Sequence, residues 1–169
     1  MQEYFTPIDT TQFTGASLYT ASSYGKLINA YVQAGGFPEL EGMQLAIVGV
    51  EEDRKAINNE GCGLAADYVR ENLYRLFQGN YTSKIADLGN IRKGNTIEDT
   101  YFAVTDVLAQ LLKKNIIPIV IGGSQDLTYC NYLAYQKMEQ TINSVSVDSA
   151  FDIGEGDKEL HSQSYLSKI

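Results

Sequence analysis

The stretch that decides the fold is residues 116–152, which read IIPIVIGGSQDLTYCNYLAYQKMEQTINSVSVDSAFD. It opens on an almost continuously apolar run, a pattern typical of a parallel strand that is covered on both faces. Gly122 and Gly123 then allow a tight turn, because neither has a Cβ that could clash. A helix is predicted to begin near Asp126, and a second strand is predicted at 143–148. The stretch therefore predicts a strand, a turn, a helix and another parallel strand.

Strands and helices also alternate along the chain before this stretch. Apolar runs predict strands at 43–50 and 84–89. One helix is predicted over 66–76, and another begins at Thr96, whose hydroxyl can cap the first turn. A looser helical pattern covers 16–34. This alternation predicts a three-layer α/β/α fold built on a parallel sheet of at least four strands.

Length and composition narrow the class of protein. The 169 residues predict a single α/β domain, with an extended arm at 1–15 and a polar tail at 154–169. The net charge of −8 argues against binding to nucleic acids or to anionic membranes, which require basic surfaces. Cys62 and Cys130 are too few for a disulfide framework or a zinc ribbon. Neither a signal peptide nor a membrane span is recognisable, so the expected location is the cytoplasm.

Polar residues follow the predicted strands 116–121 and 143–148. In an open α/β sheet, ligands bind outside the carboxyl ends of the strands. The candidate binding residues are Gly122, Gly123, Ser124, Gln125 and Asp126, and the candidate metal ligands are Asp148 and Asp152. The backbone N–H groups of the glycine turn could alternatively hold a small anion at the start of the helix.

These motifs resemble those of the ureohydrolases, the superfamily of arginase, agmatinase and formiminoglutamase. In that family one strand ends in Gly-Gly-Asp-His-Ser and the next in Asp-Ala-His-x-Asp, and their histidines and aspartates bind a pair of manganese ions. This chain has GGSQD at 122–126 and DSAFD at 148–152. Both aspartates of the second motif match, whereas Gln125 and Ala150 stand where the family has histidines. The resemblance implies an arginase-like fold with a degenerate metal site.

Weaker similarities extend the resemblance over residues 43–152. The segment DLGN at 87–90 is similar to the family's Asp-Leu-Gly-Asp, and Arg70 follows Val69 as Arg follows Ile in a family helix. His161 stands where the family has a loop that contacts substrate. Ureohydrolases are about twice as long as this chain, which resembles their N-terminal half. The chain is therefore either the first half of a longer protein or a truncated relative.

The resemblance implies an ancestral metal-dependent hydrolase of guanidino or formimino C–N bonds, with Mn²⁺ as the family's cofactor. No cofactor is expected in this chain, because Asp148 and Asp152 alone supply too few ligands. A weak single-ion site that also uses Gln125 stays open. The favoured interpretation is that Asp148 caps a turn and Asp152 is solvated, and that the chain is inactive. No catalytic residue is assigned, although His161 is either a retained substrate-loop residue or an ordinary exposed histidine.

Two further functions remain open at this point: a non-catalytic binding or assembly module of the same ancestry, and an unrelated flavodoxin-like module. A small guanidino or formimino ligand is a possible partner of the first kind of protein. A sheet that ends after its fourth strand leaves an edge unpaired, and unpaired edges with apolar neighbours usually mark interfaces. We therefore expect the chain to associate with itself or with another subunit, most simply as a symmetric homodimer.

Overall fold

The computed structural model describes residues 1–13, 19–154 and 159–169. Within them the strands are β1 Phe5–Thr6, β2 Asn29–Ala30, β3 Leu45–Val50, β4 Ile85–Ile91 and β5 Ile117–Ile121. The α-helices are α1 Tyr24–Leu27, α2 Ala65–Leu73, α3 Ile97–Lys113 and α4 Leu127–Gln136.

The strands form one mixed sheet, in the order β1-β4-β3-β5. β3 lies between β4 and β5 and is parallel to both, with Ile47 beside Asp87 on one side and Ile119 on the other. The outer edge of β4 carries β2 in parallel and β1 in antiparallel orientation. The carboxyl ends of β3, β4 and β5 therefore point to the same edge of the sheet, where a site was predicted.

Helices cover both faces of the sheet, which confirms the predicted three-layer arrangement. On one face, α3 and α4 bury a cluster with β3 and β4 that includes Val48, Leu88, Val104, Leu108 and Cys130. On the other face, the end of α2 and the N-terminal residues bury a smaller cluster of Ile8, Phe13, Ile28, Ile47 and Tyr74. The larger cluster therefore includes side chains from both α3 and α4.

Helix α3 begins where its capping residue predicts. The Thr96 side chain accepts a hydrogen bond from the Asp99 N–H at 3.2 Å, and the Asp99 carboxylate accepts one from the Thr96 N–H at 2.8 Å. This reciprocal pair satisfies backbone donors that the first turn of a helix leaves unpaired. The prediction of a helix starting at Thr96 is confirmed.

The predicted strand at 143–148 is wrong. Those residues have no strand pairing and are exposed throughout. The sheet still has four parallel strands, but β2 is the fourth, and it is too short to produce a recognisable sequence pattern. A strand needs a hydrogen-bonding neighbour, and the apolar pattern of a segment cannot by itself show that a neighbour is present.

The predicted helix over 16–34 is also wrong within 19–34, and its part over 16–18 lies outside the described residues. The chain forms only the short α1 there and then β2, where Tyr31 N–H donates to the Asp87 carbonyl at 2.8 Å. The arm at the N-terminus contributes β1 to the sheet, and its Phe5 is buried.

None of the helices in the described part of the chain has the length and apolar composition that crossing a membrane requires.

Candidate functional site

The glycine turn after β5 is held tightly against the loop that follows β3. Ser124 N–H donates to the Glu52 carbonyl at 2.8 Å. A Cβ on Gly123 would lie 1.8 Å from the same carbonyl oxygen, so only glycine fits this close approach. The Ser124 N–H is thus already engaged, and this contact disfavours the small anion that the turn could otherwise have held.

Asp126 points into the protein and supports the turn. Its carboxylate is fully buried and accepts hydrogen bonds from the Ser124 hydroxyl and from the Tyr101 hydroxyl. Burial, followed by the bond to Asp126, raises the pKa of Tyr101. Asp126 was predicted as a binding residue, but these contacts make it a support for the start of α4.

Gln125 and Asp148 are brought together, as the site prediction requires. The Gln125 side-chain N–H donates to the Asp148 carboxylate, and it lies 3.4 Å from the Tyr165 hydroxyl. Asp148 also caps its own turn, because its second oxygen accepts from the Ser149 N–H at 2.6 Å. The hydrogen bond from Gln125 is the largest of the effects that lower the pKa of Asp148.

Asp152 lies beside Asp148, but it is not solvated as expected. It is only 6% exposed, and burial, followed by the charge on Asp148, raises its pKa. Each carboxyl group contributes to the pKa shift of the other. The pKa of Asp148 is thus lowered and that of Asp152 is raised, which is the expected behaviour of two carboxyl groups that share a small space.

A polar cleft of about 230 Å³ connects these groups. It is lined by four segments that are distant in sequence: the loop after β3 near Asn59, the turn at 123–125, residues 148–152, and Ser162 with Gln163. His161 is half-buried and lines the adjoining cleft together with Asp152. Its Nδ1 accepts a hydrogen bond from the Gln163 N–H at 3.2 Å.

The donor set in this cleft does not fit a pair of metal ions. Across residues 1–13, 19–154 and 159–169, no three His, Cys, Asp or Glu side chains are grouped so that they could hold a metal. Ala150 supplies no ligand atom, and Gln125 turns its amide nitrogen, which cannot ligate, toward Asp148. Two carboxylates remain, whereas hard divalent cations need about six oxygen or nitrogen ligands.

Sequence reasoning missed the contact between the C-terminal segment and Gln125 of the cleft. Tyr165 begins a short 3₁₀ helix, Tyr165–Lys168, that contacts α4, and its ring is 2% exposed. Its hydroxyl lies 3.4 Å from both Gln125 and Ser146. An aromatic residue in an otherwise polar tail is a signal that could have identified it, since such a residue usually packs against something.

A second polar cluster, which we call the Arg70 cluster, lies beneath α2 on the sheet. The Arg70 guanidinium is fully buried and donates to both carboxylate oxygens of Asp87, at 2.8 and 2.9 Å. It also donates to the Gly89 carbonyl at 2.9 Å and to the Asn90 side chain. The Tyr74 hydroxyl donates to Asp87 at 2.9 Å. Every charge in this cluster is thus paired within the protein.

Comparisons with known proteins agree with this geometry. A model of the Arginase family of sequences matches residues 43–166. A formimidoylglutamase from Streptococcus gordonii is 27% identical over 122 residues, covering 68% of this chain and 37% of its own length. One from Staphylococcus epidermidis is 30% identical over 76 residues, covering 43% of this chain and 24% of its own length.

Solved structures show the same fold over a larger part of the chain. A Trypanosoma cruzi formiminoglutamase determined with Mn²⁺ superposes with a TM-score of 0.73 at 22% identity, covering 86% of this chain and 51% of its own. A Bacillus subtilis formimidoylglutamase superposes with a TM-score of 0.73 at 15% identity, covering 87% and 47%. This chain therefore spans about half the length of these structures and less than half of the two relatives.

Proposed function

The chain belongs to the arginase family, and from this premise we propose that it is a ureohydrolase-related protein whose cleft no longer holds the catalytic metals. By this proposal, the chain on its own does not hydrolyse guanidino or formimino C–N bonds. Family membership rests on the match over residues 43–166. The loss of activity rests on the chemistry of the cleft.

One observation carries the proposal: the side chain of Gln125 donates a hydrogen bond to Asp148. A metal ion bound by Asp148 would need a lone pair from the side chain at position 125. Gln125 instead presents an N–H group to Asp148. Ala150, the other departure from the family motifs, has only a methyl group. A bound metal ion makes water a nucleophile at neutral pH by lowering the pKa of the water, so losing the ion removes that route to hydrolysis.

The remaining polar groups suit binding better than catalysis. Asp148 and Asp152 would face a cationic guanidino or formimino group that enters the cleft, and neutral donors lie around them at Ser162 and Gln163. No step of a reaction is assigned to them. The cleft thus keeps the means to contact a ligand of the family's chemical class without the means to activate water.

The direct test is metal and activity analysis of the purified chain. After equilibration with excess Mn²⁺ and removal of free ion, we expect less than one tightly bound metal ion per chain by elemental analysis. We also expect no release of urea or formamide from arginine, agmatine or formiminoglutamate. The Streptococcus gordonii formimidoylglutamase, assayed in parallel, is the positive control. Two bound ions per chain, or turnover of any of these compounds, would overturn the proposal.

The double variant Gln125→His and Ala150→His tests the assignment of the two motifs. It places imidazoles at both departures from the family pattern, so we expect it to bind Mn²⁺ more tightly than the natural chain. Gln163→His is the matched control, because it adds an imidazole to the same cleft away from both motifs. Equal Mn²⁺ affinity for the double variant and the control would mean that the motifs are misassigned, or that metal binding also requires the half of the relatives that this chain does not cover.

A second candidate function, that of an assembly module, is favoured by a separate observation. Ile117 and Ile119 of β5, the edge strand of the parallel sheet, are 61% and 41% exposed. Apolar side chains exposed at the edge of a sheet usually mark a surface for another polypeptide.

A further inference from the structure

The loop after β3 begins with three acidic residues in a row, Glu51, Glu52 and Asp53. Glu51 accepts a hydrogen bond from the Asn90 side chain at 3.0 Å, and Asp53 pairs with Lys93 at 2.5 Å. Glu51 and Asp53 are half-buried, whereas Glu52 is fully buried. Acidic side chains are almost never fully buried unless they are paired, so the burial of Glu52 requires an explanation.

The carboxylate of Glu52 is paired with Arg54, two residues further along the same loop. The Arg54 side chain donates to the two Glu52 oxygens at 2.9 and 2.5 Å, and the Arg54 backbone N–H donates to the first of them at 2.9 Å. Burial by itself would raise the pKa of Glu52, but the hydrogen bonds from Arg54 outweigh burial and hold this pKa below its ordinary value. Glu52 is therefore a charged group that the protein encloses and that Arg54 neutralises.

Arg54 also reaches the first turn of α3. Its guanidinium donates to the carbonyls of Asn95 and Thr96, at 3.2 and 3.0 Å, and to the Thr100 hydroxyl at 3.1 Å. The start of α3 is itself fixed by the capping pair of Thr96 and Asp99, and the helix packs into the larger apolar cluster. Arg54 therefore ties the loop after β3 to a firmly held point of the fold.

The main chain of Glu52 holds the turn that carries the cleft residue Gln125. Ser124 N–H donates to the Glu52 carbonyl at 2.8 Å, and Gly123 lies so close to the Glu52 backbone that no Cβ would fit between them. Gln125 follows in the same turn and contacts Asp148 across the cleft. Glu52 thus meets the turn through its main chain and the start of α3 through its ion pair.

We propose that Glu52 and Arg54 are positioning residues of the cleft. Their ion pair fixes the turn at 123–125 relative to the start of α3, and so sets where Gln125 meets Asp148. An enclosed ion pair is a poor means of adding stability, because apolar side chains of similar volume often stabilise a fold as well or better. Its hydrogen bonds are directional, however, so the pair defines one geometry. This role rests on the proposed function in taking the cleft as a ligand site, and it depends neither on a metal nor on catalysis.

A pair of substitutions separates this positioning role from a general support of the fold. Arg54→Met alone leaves the Glu52 carboxylate buried without its partner, so we expect it to destabilise the whole chain. The informative variant combines Glu52→Gln with Arg54→Met and removes both charges. It keeps the main-chain carbonyl of residue 52 and nearly the same side-chain volumes, but it cuts the link to α3. Because no unpaired charge is left, we expect this double variant to fold.

Two NMR measurements on the full chain report on the turn directly: the hydrogen exchange rate of the Ser124 amide and the side-chain N–H signals of Gln125. In the natural chain we expect slow exchange at Ser124 and a Gln125 signal that is displaced by the bond to Asp148. In the double variant we expect exchange at Ser124 to be roughly tenfold faster or more, and the Gln125 signal to move toward that of a solvated glutamine. The urea midpoint should change far less than in Arg54→Met.

Two further variants make the test specific. Lys93→Met is the matched control, because it removes a cation that pairs with Asp53, the next acidic residue of the same loop. Exchange at Ser124 should then stay within about twofold of its natural rate. Arg54→Lys keeps a positive charge opposite Glu52, but an ammonium group lacks the fork of donors that reaches three acceptors on α3. We expect this variant to fold and to show an intermediate exchange rate.

Three results would overturn the positioning role. The double variant could keep the natural exchange rate at Ser124 and the natural Gln125 signal, which would leave the ion pair as a support of the fold only. Lys93→Met could loosen the turn as much as the double variant does, which would assign the effect to the loop as a whole. The double variant could fail to fold while Arg54→Lys leaves the turn unchanged.

Failure of the proposed function is distinguishable from these results. Two bound Mn²⁺ ions per chain, or turnover by the natural chain, would overturn the proposed loss of catalysis. Neither result would alter the exchange at Ser124 or its dependence on Arg54, because both NMR measurements are made without metal and without substrate.

Discussion

The Arg70 cluster and the cleft at Asp148 are both built from carboxylates and hydrogen-bond donors, but they differ in enclosure. Arg70 and Asp87 are both fully buried, and each is paired with the other at 2.8 to 2.9 Å. Asp148 is exposed, and its main side-chain partner is the neutral Gln125. The difference shows where a protein can replace polar residues without losing its fold.

Access to water explains why the Arg70 cluster and the cleft differ. A charge removed from water is destabilising unless the protein supplies partners for it, so each member of the Arg70 cluster depends on the others. At the cleft, water can solvate a group whose partner has been replaced. By the proposed assignment of the family motifs, the two histidine positions could therefore become Gln125 and Ala150 while the scaffold stayed intact. The following changes test this contrast, from the largest expected effect to the smallest.

Replacing Arg70 with methionine should have the largest effect. We expect the free energy of unfolding to decrease by about 3–5 kcal/mol, because the buried carboxylate of Asp87 would lose its charged partner. Arg75→Met is the control: Arg75 pairs with Glu71 at 2.7 Å on a partly exposed surface, so its loss should cost less than about 1 kcal/mol. Urea unfolding followed by circular dichroism measures both. Equal losses of unfolding free energy in the two variants would contradict the view that burial determines how much an ion pair stabilises the fold.

Replacing Tyr74 with phenylalanine should cost less, about 1.5–3 kcal/mol, because it removes one hydrogen bond to the charged Asp87. The change should also alter the response to alkali. Burial, followed by the charge on Asp87, raises the pKa of Tyr74 above the ordinary value of 10.0. The unfolded chain then loses this proton at a lower pH than the folded chain does. This contribution to stability is therefore complete below pH 10 and is lost as the pH rises further.

Unfolding of Tyr74→Phe between pH 8 and 11 checks this second expectation. The variant should show a shallower decline than the natural chain, although Tyr101, whose pKa is also raised, still contributes to the decline in both. An unchanged slope would mean that the Tyr74 hydroxyl is not enclosed as described.

The same chemical change at Tyr165 should have a smaller effect. Its hydroxyl makes only long contacts of 3.4 Å with Gln125 and Ser146, so Tyr165→Phe should cost less than about 1 kcal/mol. Because the ring stays in place, this variant and Tyr74→Phe differ only in the surroundings of the lost hydroxyl. Chemical denaturation under identical conditions compares them, and a larger loss at Tyr165 would reverse the ranking of the two clusters.

Asp148→Asn should have the smallest effect, within about 0.5 kcal/mol, since the residue is exposed and asparagine can still cap the turn. Asp87→Asn is the matched change in the Arg70 cluster, and it should cost several times more because it leaves a buried guanidinium opposite a neutral group. Thermal melts at neutral pH are sufficient for this comparison. A marked loss of stability in Asp148→Asn would show that the cleft supports the fold after all.

The sequence by itself determined the parts of this protein that depend on local pattern. The apolar runs predicted β3, β4 and β5, and the hydroxyl of Thr96 marked the start of α3. The family motifs at 122–126 and 148–152 were predicted to share one site, and the structure brings Gln125 and Asp148 into contact. These features are readable because turn geometry, helix capping and the apolar periodicity of a strand act over a few neighbouring residues.

Only the tertiary structure decided features that depend on distant partners. Residues 143–148 have the pattern of a strand but form none, because no neighbouring strand in the described chain pairs with them. β2 forms despite its short length, because β4 offers it a hydrogen-bonding edge. Asp126 turns inward to two hydroxyl groups, and Asp152 is buried beside a second carboxyl group. In each case the outcome is set by which groups the fold places alongside the residue, and a linear pattern carries no record of that placement.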